Sequence, residues 1–293
     1  DHDALQAAAP SFDLVGDWTV DSLSAHLAER DLFHGRTPDQ AASRNYRRWG
    51  FESAALDLAL RQADTDLASV LDWTYDPVSF IVSTRLGSPP STDRIETLLD
   101  RDRSLEFKLD PTDEWTPELI DAVADTGRVR ILDLKGHYEG TEVDQAPDPA
   151  LYERLLERFP ETIIEDPALT NATEPLFDGH RDRVSWDAPI HGVEDVKALP
   201  FAPEWLNSKP SRFGSIKSLF ETITYCVDQG IEMYGGGQFE LGVGRGQLHA
   251  IASLFYPEAP NDVAPAAYNV PTLADDLPSS PLSPPPDPGG FGW

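Results

Sequence analysis

The chain is poor in residues that would cross-link it covalently or give it a basic surface. Its 293 residues contain one cysteine, Cys226, which excludes an internal disulfide and fits a reducing cytoplasm. Lysine and arginine together number 23 against 51 acidic residues, so the formal net charge is -28. Nucleic acids and anionic membrane faces are bound through basic patches, and the charge therefore argues against both as partners.

Long apolar runs are also missing. No run approaches the roughly 18 residues that a membrane-spanning helix needs, and no signal peptide is recognisable. We therefore expect a cytoplasmic protein without a membrane partner. The length is sufficient for one barrel or for two modest domains.

Lysine is the scarce basic residue, with five lysines against eighteen arginines. Three of the five, Lys108, Lys135 and Lys209, lie at the far ends of short apolar runs that are typical of buried strands. A desolvated ammonium is costly unless it pairs or titrates, and lysine gives up its proton far more readily than arginine. These three lysines are therefore candidate acid/base groups.

From Pro77 onward, β-branched runs alternate with helical stretches, and successive runs start 21 to 34 residues apart. This alternation indicates βα units around a parallel sheet, and seven or more units favour a closed barrel. We predict an α/β fold whose barrel covers residues 77–265. The strand-like runs are Val78–Thr84, Leu105–Asp110, Arg128–Lys135, Thr162–Pro167, Arg183–Pro189, Trp205–Ser211 and Ile231–Gly237.

The segments on either side of the barrel have a different character. Residues 1–76 are mainly helical, with helical spacing in Thr19–Glu29 and a longer apolar face through Asn45–Leu71. We expect this part to be the remnant of a cap domain. Residues 266–293 are rich in proline, glycine and serine, which predicts a tail that packs back on the body.

The polar residues that close consecutive runs are Lys108, Asp133, Glu165, Asp187 and Lys209. In a parallel barrel the active site lies at these carboxyl ends. A single such residue is usually a turn former or a snorkelling lysine, but the ordered set is harder to explain in that way. Three converging carboxylates would repel one another unless they shared a cation, and oxygen ligands suit Mg²⁺. A flanking lysine could then move a proton next to a substrate carboxylate, through an enediolate that needs stabilisation.

Two further residues are candidate substrate contacts, each with an ordinary alternative. Lys135 could hold a substrate carboxylate, or it could pair with Glu106 or Asp110. Glu240 could accept a hydrogen bond from a substrate amine or hydroxyl, or it could pair with Arg245.

Three segments resemble the enolase superfamily, specifically its subgroup of muconate lactonizing enzymes, o-succinylbenzoate synthases and dipeptide epimerases. The most specific is Asn207–Gly214, which is similar to the sixth-strand motif of that family. Phe51–Ala59 resembles the helix that precedes its barrel, and Gly235–Glu240 resembles the stretch after its seventh strand. The resemblance covers the chain from about Tyr46 to the C-terminus.

The resemblance implies a modified (β/α)7β barrel under a cap and Mg²⁺-dependent removal of the α-proton of a small carboxylate substrate. Lys108 and Lys209 would be the opposed acid/base lysines, and Asp133, Glu165 and Asp187 the Mg²⁺ ligands. The outcome would be racemisation, epimerisation, cycloisomerisation or β-elimination, so the protein is predicted to be an isomerase or a lyase. A homo-oligomer is compatible with this prediction.

The sequence departs from the family at several positions. Glu106 replaces the first lysine of the usual strand-two lysine pair, Lys135 replaces an asparagine after strand three, and Ala188 replaces a common glutamate. The N-terminal strands of the cap are not recognisable before Thr19. These departures motivate a second hypothesis, a barrel that binds ligands or assembles with partners but has no turnover. A third, an acid-sugar dehydratase, is less favoured because that class uses a histidine base that these strand ends lack.

Overall fold

The computed structural model describes residues 2–8, 11–138, 140–141, 145–238, 240–270 and 272–293. Its N-terminal part is helical, and the second helix starts at a capping box. There the Thr19 side chain accepts a hydrogen bond from the Ser22 backbone N–H at 3.1 Å, while the Ser22 hydroxyl caps the Thr19 backbone in return. The helices are α1 (His2–Ala8), α2 (Val20–Ala28), α3 (Ser43–Gln62) and α4 (Leu67–Val70).

The long apolar face predicted through Asn45–Leu71 is divided between two helices. Asp64 adopts a positive φ of 53°, which a right-handed helix cannot continue through. Asp66 then starts α4, because its carboxylate accepts a hydrogen bond from the Ser69 backbone N–H at 3.0 Å. The apolar spacing alone did not distinguish one helix from two consecutive ones.

Seven parallel strands follow, in the order β1 to β7, and each pairs with its neighbour in the chain. Together with the α/β alternation and the helical N-terminal segment, this order confirms the predicted fold class. The strands are β1 (Val82–Thr84), β2 (Phe107–Leu109), β3 (Val129–Asp133), β4 (Ile163–Glu165), β5 (Val184–Trp186), β6 (Trp205–Ser208) and β7 (Glu232–Gly235). The later helices are α5 (Asp93–Arg101), α6 (Pro117–Asp125), α7 (Pro149–Arg158), α8 (Val193–Lys197), α9 (Pro210–Phe213), α10 (Ile216–Gln229) and α11 (Val243–Phe255).

Part of the barrel interior and the layer between the strands and the helices are both apolar. Three strand residues, Ile131, Ile163 and Tyr234, form a separate buried cluster with Ile81, which directly precedes β1. The helices bury their apolar stripes against the other face of the strands; α10, for example, buries Leu219 along its inner side. Burial on both faces explains why the runs are almost continuously hydrophobic in the sequence.

The barrel is closed by a single bridging residue where an eighth strand would lie. Asn261 pairs with Phe80, and its backbone C=O accepts a hydrogen bond from the Ile81 N–H at 2.9 Å. On the other side, its side-chain oxygen accepts a hydrogen bond from the Gly235 N–H at 2.6 Å. The next residue, Asp262, donates its N–H to the Gly235 C=O at 2.7 Å. We call residues 261–262 the seam of the barrel.

The two ends of the chain pack on the barrel and on each other. Val78 and Leu282 exchange backbone hydrogen bonds of 2.8 and 2.9 Å, and the buried Phe291 ring contacts Trp49 of α3. Asn45, also in α3, donates its side-chain N–H to the Arg212 carbonyl of α9 at 2.7 Å. No helix in the described ranges is both long and apolar enough to cross a membrane.

Candidate active site

The carboxyl ends of the strands bring charged side chains into the barrel interior. Asp133 and Glu165 are directly opposite each other in the register between β3 and β4, and both are fully buried. Lys108 of β2 reaches both of them: its Nζ lies 2.5 Å from Glu165 Oε1 and 3.2 Å from Asp133 Oδ2. Three of the residues predicted from the strand ends are therefore in direct contact.

A third carboxylate completes a compact acid cluster, which we define as Asp133, Glu165 and Asp166. One carboxylate oxygen from each of the three lies within 4.8 Å of the others. Asp166 has a positive φ of 49°, and its side chain accepts hydrogen bonds from the backbone N–H groups of Asp187 and Ala188 at 2.8 and 2.9 Å. Two backbone donors thus hold the Asp166 carboxylate in the cluster.

Burial dominates the electrostatics of this cluster. Desolvation and the neighbouring carboxylates raise the pKa of Glu165 to about 8, against the opposing charge of Lys108. Burial and the charges of Asp187 and Asp133 raise the pKa of Asp166 to about 7. Burial would also raise the pKa of Asp133, but Lys108 and Lys135 hold it well below its ordinary value. The cluster therefore lacks enough positive charge to ionise all three acids easily.

Lys108 is enclosed by carboxylates. In addition to Glu165 and Asp133, Asp262 of the seam lies 3.5 Å from its Nζ, and the lysine side chain is only 2% exposed. Burial alone would lower the pKa of this ammonium, but the three carboxylates raise it well above its ordinary value. Lys108 consequently holds its proton firmly.

Glu165 is further fixed by neutral donors. The Tyr234 hydroxyl donates a short hydrogen bond to Oε2, and the Asn207 side-chain N–H lies 3.3 Å from the same oxygen. The Tyr234 hydroxyl also lies 2.7 Å from the Ser185 hydroxyl. Side chains from β5, β6 and β7 thus orient one carboxylate of β4.

Asp187 and Lys209 form a second centre beside the acid cluster. Lys209 Nζ lies 2.8 Å from Asp187 Oδ2, and Arg212 Nε lies 3.1 Å from Asp187 Oδ1. The Tyr138 hydroxyl donates to Asp187 Oδ2 at 2.8 Å and receives a hydrogen bond from Arg212 at 3.0 Å. Burial opposes ionisation, but the charges of Lys209 and Arg212 hold the pKa of Asp187 far below its ordinary value.

The ammonium group of Lys135 contacts the acid cluster through Asp133. Its Nζ makes a short contact with Asp133 Oδ2 and lies 3.6 Å from Asp110 Oδ1, so of the two pairings considered from the sequence, the structure has the one with Asp110. Lys135 has a positive φ of 54°, and its ammonium lies 5.1 Å from the centre of the Tyr138 ring. Glu106 instead lies 3.6 Å from an Arg130 nitrogen, away from the cluster.

Glu240 is hydrogen-bonded to its own loop and to α9. Its carboxylate accepts hydrogen bonds from the Ser211 hydroxyl at 3.0 Å and from the Gln238 backbone N–H at 2.5 Å. In the described part of the chain no ion pair joins Glu240 to Arg245, the alternative considered from the sequence. Its role as a substrate contact stays a prediction.

Lys108, Lys135 and Lys209 all line one cavity of about 760 Å³. Its wall is completed by residues from the loops after β1, β2 and β7 and by the segment that follows the seam. A cavity of this size accommodates a small-molecule ligand. The two amines predicted to act as acid and base therefore open onto a common space.

The acid cluster fits a divalent cation. Its donors are carboxylate oxygens within reach of one ion, and the raised pKa values of Glu165 and Asp166 reflect a shortage of positive charge that a dication would relieve. Asp187, predicted as the third ligand, is instead paired with Lys209 and Arg212. The oxygen set corresponds to the hard cations Mg²⁺ and Ca²⁺.

Several of these residues were not predicted to belong to the site. Asp166 directly follows Glu165 in the chain, and a turn there could have been suspected from Pro167. Arg212 lies inside the segment already singled out around Lys209. The contacts of Tyr138 and Tyr234 with carboxylates 49 and 69 residues away carry no local sequence signal.

Comparison with known proteins places these observations in a family. The family described as "Domain of unknown function (DUF8230) C-terminal domain" matches residues 74–270, and the corresponding N-terminal domain matches residues 1–70. A curated relative, o-succinylbenzoate synthase from Bacillus subtilis (strain 168), is 23% identical over 228 residues, which is 73% of this chain. The match spans 58% of the length of that relative.

Several solved structures share the fold. A member of the enolase superfamily from Listeria innocua Clip11262 superposes with a TM-score of 0.62 at 21% identity, covering 85% of this chain and 68% of that one. Muconate cycloisomerase from Pseudomonas fluorescens gives 0.62 at 18% identity, covering 89% and 73%. Dipeptide epimerase from Methylococcus capsulatus, complexed with Mg and the dipeptide L-Arg-D-Lys, gives 0.65 at 18% identity, covering 100% and 80%. The predicted resemblance to the enolase superfamily is confirmed at the level of the fold.

Proposed function

Since this chain belongs to the DUF8230 family and has the barrel fold of the enolase superfamily, we propose that it removes the α-proton of a small carboxylate substrate in a Mg²⁺-dependent reaction. The products would arise by racemisation, epimerisation, cycloisomerisation or β-elimination. One observation carries the proposal: the ammonium groups of Lys108 and Lys209 open onto one cavity beside a buried acid cluster.

Asp133 and Glu165 are proposed as ligands, because both belong to the predicted strand-end set and to the acid cluster. The third ligand predicted from the sequence is Asp187, whereas the proximity of the oxygens supports Asp166. When bound, the cation would supply the positive charge that stabilises the negative charge developing on the substrate carboxylate. Tyr234 and Asn207 would keep the Glu165 carboxylate oriented throughout.

The surroundings of the two lysines suggest different tasks. Lys108 faces three carboxylates and keeps its proton, which suits an acid or a fixed cation. Lys209 contacts one carboxylate, Asp187, and shares it with Arg212, so its ammonium is less enclosed by negative charge. We therefore assign removal of the α-proton to Lys209 and its return, or charge stabilisation, to Lys108.

Exchange of substrate α-hydrogen in deuterated buffer is the direct test, measured by NMR over a library of small carboxylates with Mg²⁺. Wild-type protein should exchange at least one member, and Lys209→Ala should abolish that exchange. Lys108→Ala should abolish it or reduce it strongly. Lys197→Ala is the matched control, because this exposed lysine of the outer helix α8 contacts Glu194 and the Tyr225 ring, outside the site. Exchange that survives in Lys209→Ala would contradict the assignment.

A second candidate function, a barrel that binds ligands without turnover, is favoured by the Lys135 ammonium on Asp133. This cation already satisfies one oxygen that the metal would need. Calorimetric titration with Mg²⁺ separates the two proposals: the enzyme should bind Mg²⁺, and Lys135→Asn should bind it more tightly. A wild-type chain that binds no divalent ion would support the second candidate.

A further inference from the structure

The residues that line the cavity include more basic than acidic side chains, the reverse of the chain as a whole. Six of the 23 basic residues of the chain line it, compared with two of the 51 acidic ones among the residues that the structure describes. Cations concentrated in a concave site raise the local concentration of anionic ligands and orient them. The basic lining residues are Arg85, Arg94, Lys108, Lys135, Lys209 and Arg245, and the acidic ones are Asp110 and Asp262.

Most of these cations already have partners. The three lysines contact carboxylates of the two centres described above. Arg94 donates to the carbonyls of Tyr268 and Val270 at 2.7 and 3.3 Å, which fastens the segment after the seam. Arg85 lies 3.4 Å from Asp110, in a pair of which the arginine is exposed and the aspartate half-buried.

Arg245 is different. It belongs to the first turn of α11 and lines the cavity, yet in the described ranges its side chain makes no ion pair and no hydrogen bond. Its Nε is shielded from solvent and has no acceptor. A shielded guanidinium N–H without an acceptor costs free energy, which a ligand oxygen would recover. Glu240, the nearby acid that could have paired with it, is bound to Ser211 and Gln238 instead.

We propose that Arg245 binds a second anionic group of the substrate, so that the substrate is a carboxylate with a further oxyanion, a carboxylate or a phosphate, at its other end. The guanidinium presents a planar set of N–H donors that matches either group. This inference rests on the proposed function for the first carboxylate. The second anionic group distinguishes among carboxylates of equal length, because a substrate without it leaves the Arg245 guanidinium unpaired.

The test is calorimetric binding of matched probes to the Mg²⁺-loaded protein at fixed ionic strength. The probes are α,ω-dicarboxylates of four to eight carbons, monocarboxylates of the same lengths, and ω-phosphonocarboxylates. The variants are Arg245→Met, Arg245→Lys and Arg154→Met; the last removes an exposed arginine of α7, outside the cavity. Thermal unfolding of each variant verifies that it is folded.

We expect the best dicarboxylate or phosphonocarboxylate to bind at least about tenfold more tightly than its monocarboxylate, as a charge-assisted pair would provide. This preference should vanish in Arg245→Met, persist in part in Arg245→Lys and be unchanged in Arg154→Met. The phosphonate series distinguishes a phosphate subsite from a carboxylate subsite.

Equal binding of the mono- and dianionic probes to wild type, or a preference that Arg245→Met retains, would overturn the inference, as would a failure of the whole series to bind. The same samples separate this inference from the proposed function. Arg245-dependent binding without α-hydrogen exchange would refute proton abstraction and leave the subsite standing. α-Hydrogen exchange of monocarboxylates as fast as that of dicarboxylates would refute the Arg245 subsite and leave proton abstraction standing.

Discussion

Gly236→Ala would displace the Lys209 side chain without removing any functional group. A Cβ built on Gly236 lies 2.9 Å from Lys209 Cε and 2.5 Å from Asn207 Oδ1, closer than real Cβ contacts come. Both neighbours are buried, so neither can move freely into solvent. Overpacking of this kind costs about 1–3 kcal/mol. At roughly 2–4 °C per kcal/mol for a large domain, the unfolding midpoint should fall by several degrees.

The effect on the reaction should exceed the effect on stability. A catalytic group misplaced by about 1 Å costs on the order of 100-fold in rate, so α-hydrogen exchange should drop by about that factor while the variant stays folded. Thermal unfolding and NMR exchange on the same samples measure both quantities.

Gly50→Ala is the matched control for this substitution. Nothing lies within 4 Å of its added Cβ in α3, and it should stabilise the helix by about 0.5–1 kcal/mol. If Gly236→Ala were as stable and as active as wild type, the inferred crowding around Lys209 would be wrong.

Two further predictions concern charge and helix ends. The metal-free protein should lose stability as pH rises from about 4.5 toward about 8, because folded Glu165 and Asp166 keep protons that the unfolded chain has released. Urea unfolding should show this slope, and Glu165→Gln should flatten it. Mg²⁺ at 100 times its Kd should add about 2.7 kcal/mol to the free energy of unfolding. A stability that rises with pH in this window would contradict the reasoning. Arg183→Met should cost about 2–4 kcal/mol, because the buried guanidinium donates to the carbonyls of Leu156, Phe159 and Thr162 at 2.5–3.1 Å. Exchange per folded molecule should be unchanged in Arg183→Met, and a loss of exchange would mean that this end of α7 affects the site.

The strand ends were the part of the candidate site for which the sequence carried a signal. A strand that is buried on both faces stands out as an apolar run, and a charged residue at its end is conspicuous for that reason. Lys108, Asp133, Glu165, Asp187 and Lys209 were predicted in this way, and the structure brings them into two adjoining centres. The helical stretches expected between these runs include α6, α7 and α10.

Side-chain pairing could not be predicted in the same way. That Asp187 is paired with Arg212 and Tyr138, while Asp166 turns into the acid cluster, depends on a left-handed residue and on contacts between distant strands. The helix α11 was missed because three glycines lie at and just inside its start, where propensity argues against a helix and tertiary packing decides. The seam was missed because one bridging residue leaves no run to detect.

The closure of the barrel and its reactivity depend on neighbouring residues. Asn261 fastens the last strand to the first, and Asp262 next to it contributes one of the carboxylates around Lys108. A substitution that loosens this junction would also change the negative charge around an amine proposed to handle protons. Attempts to stabilise the fold by engineering residues 261–262 would therefore change the electrostatics around Lys108 as well, so the two properties could not be optimised separately at the seam.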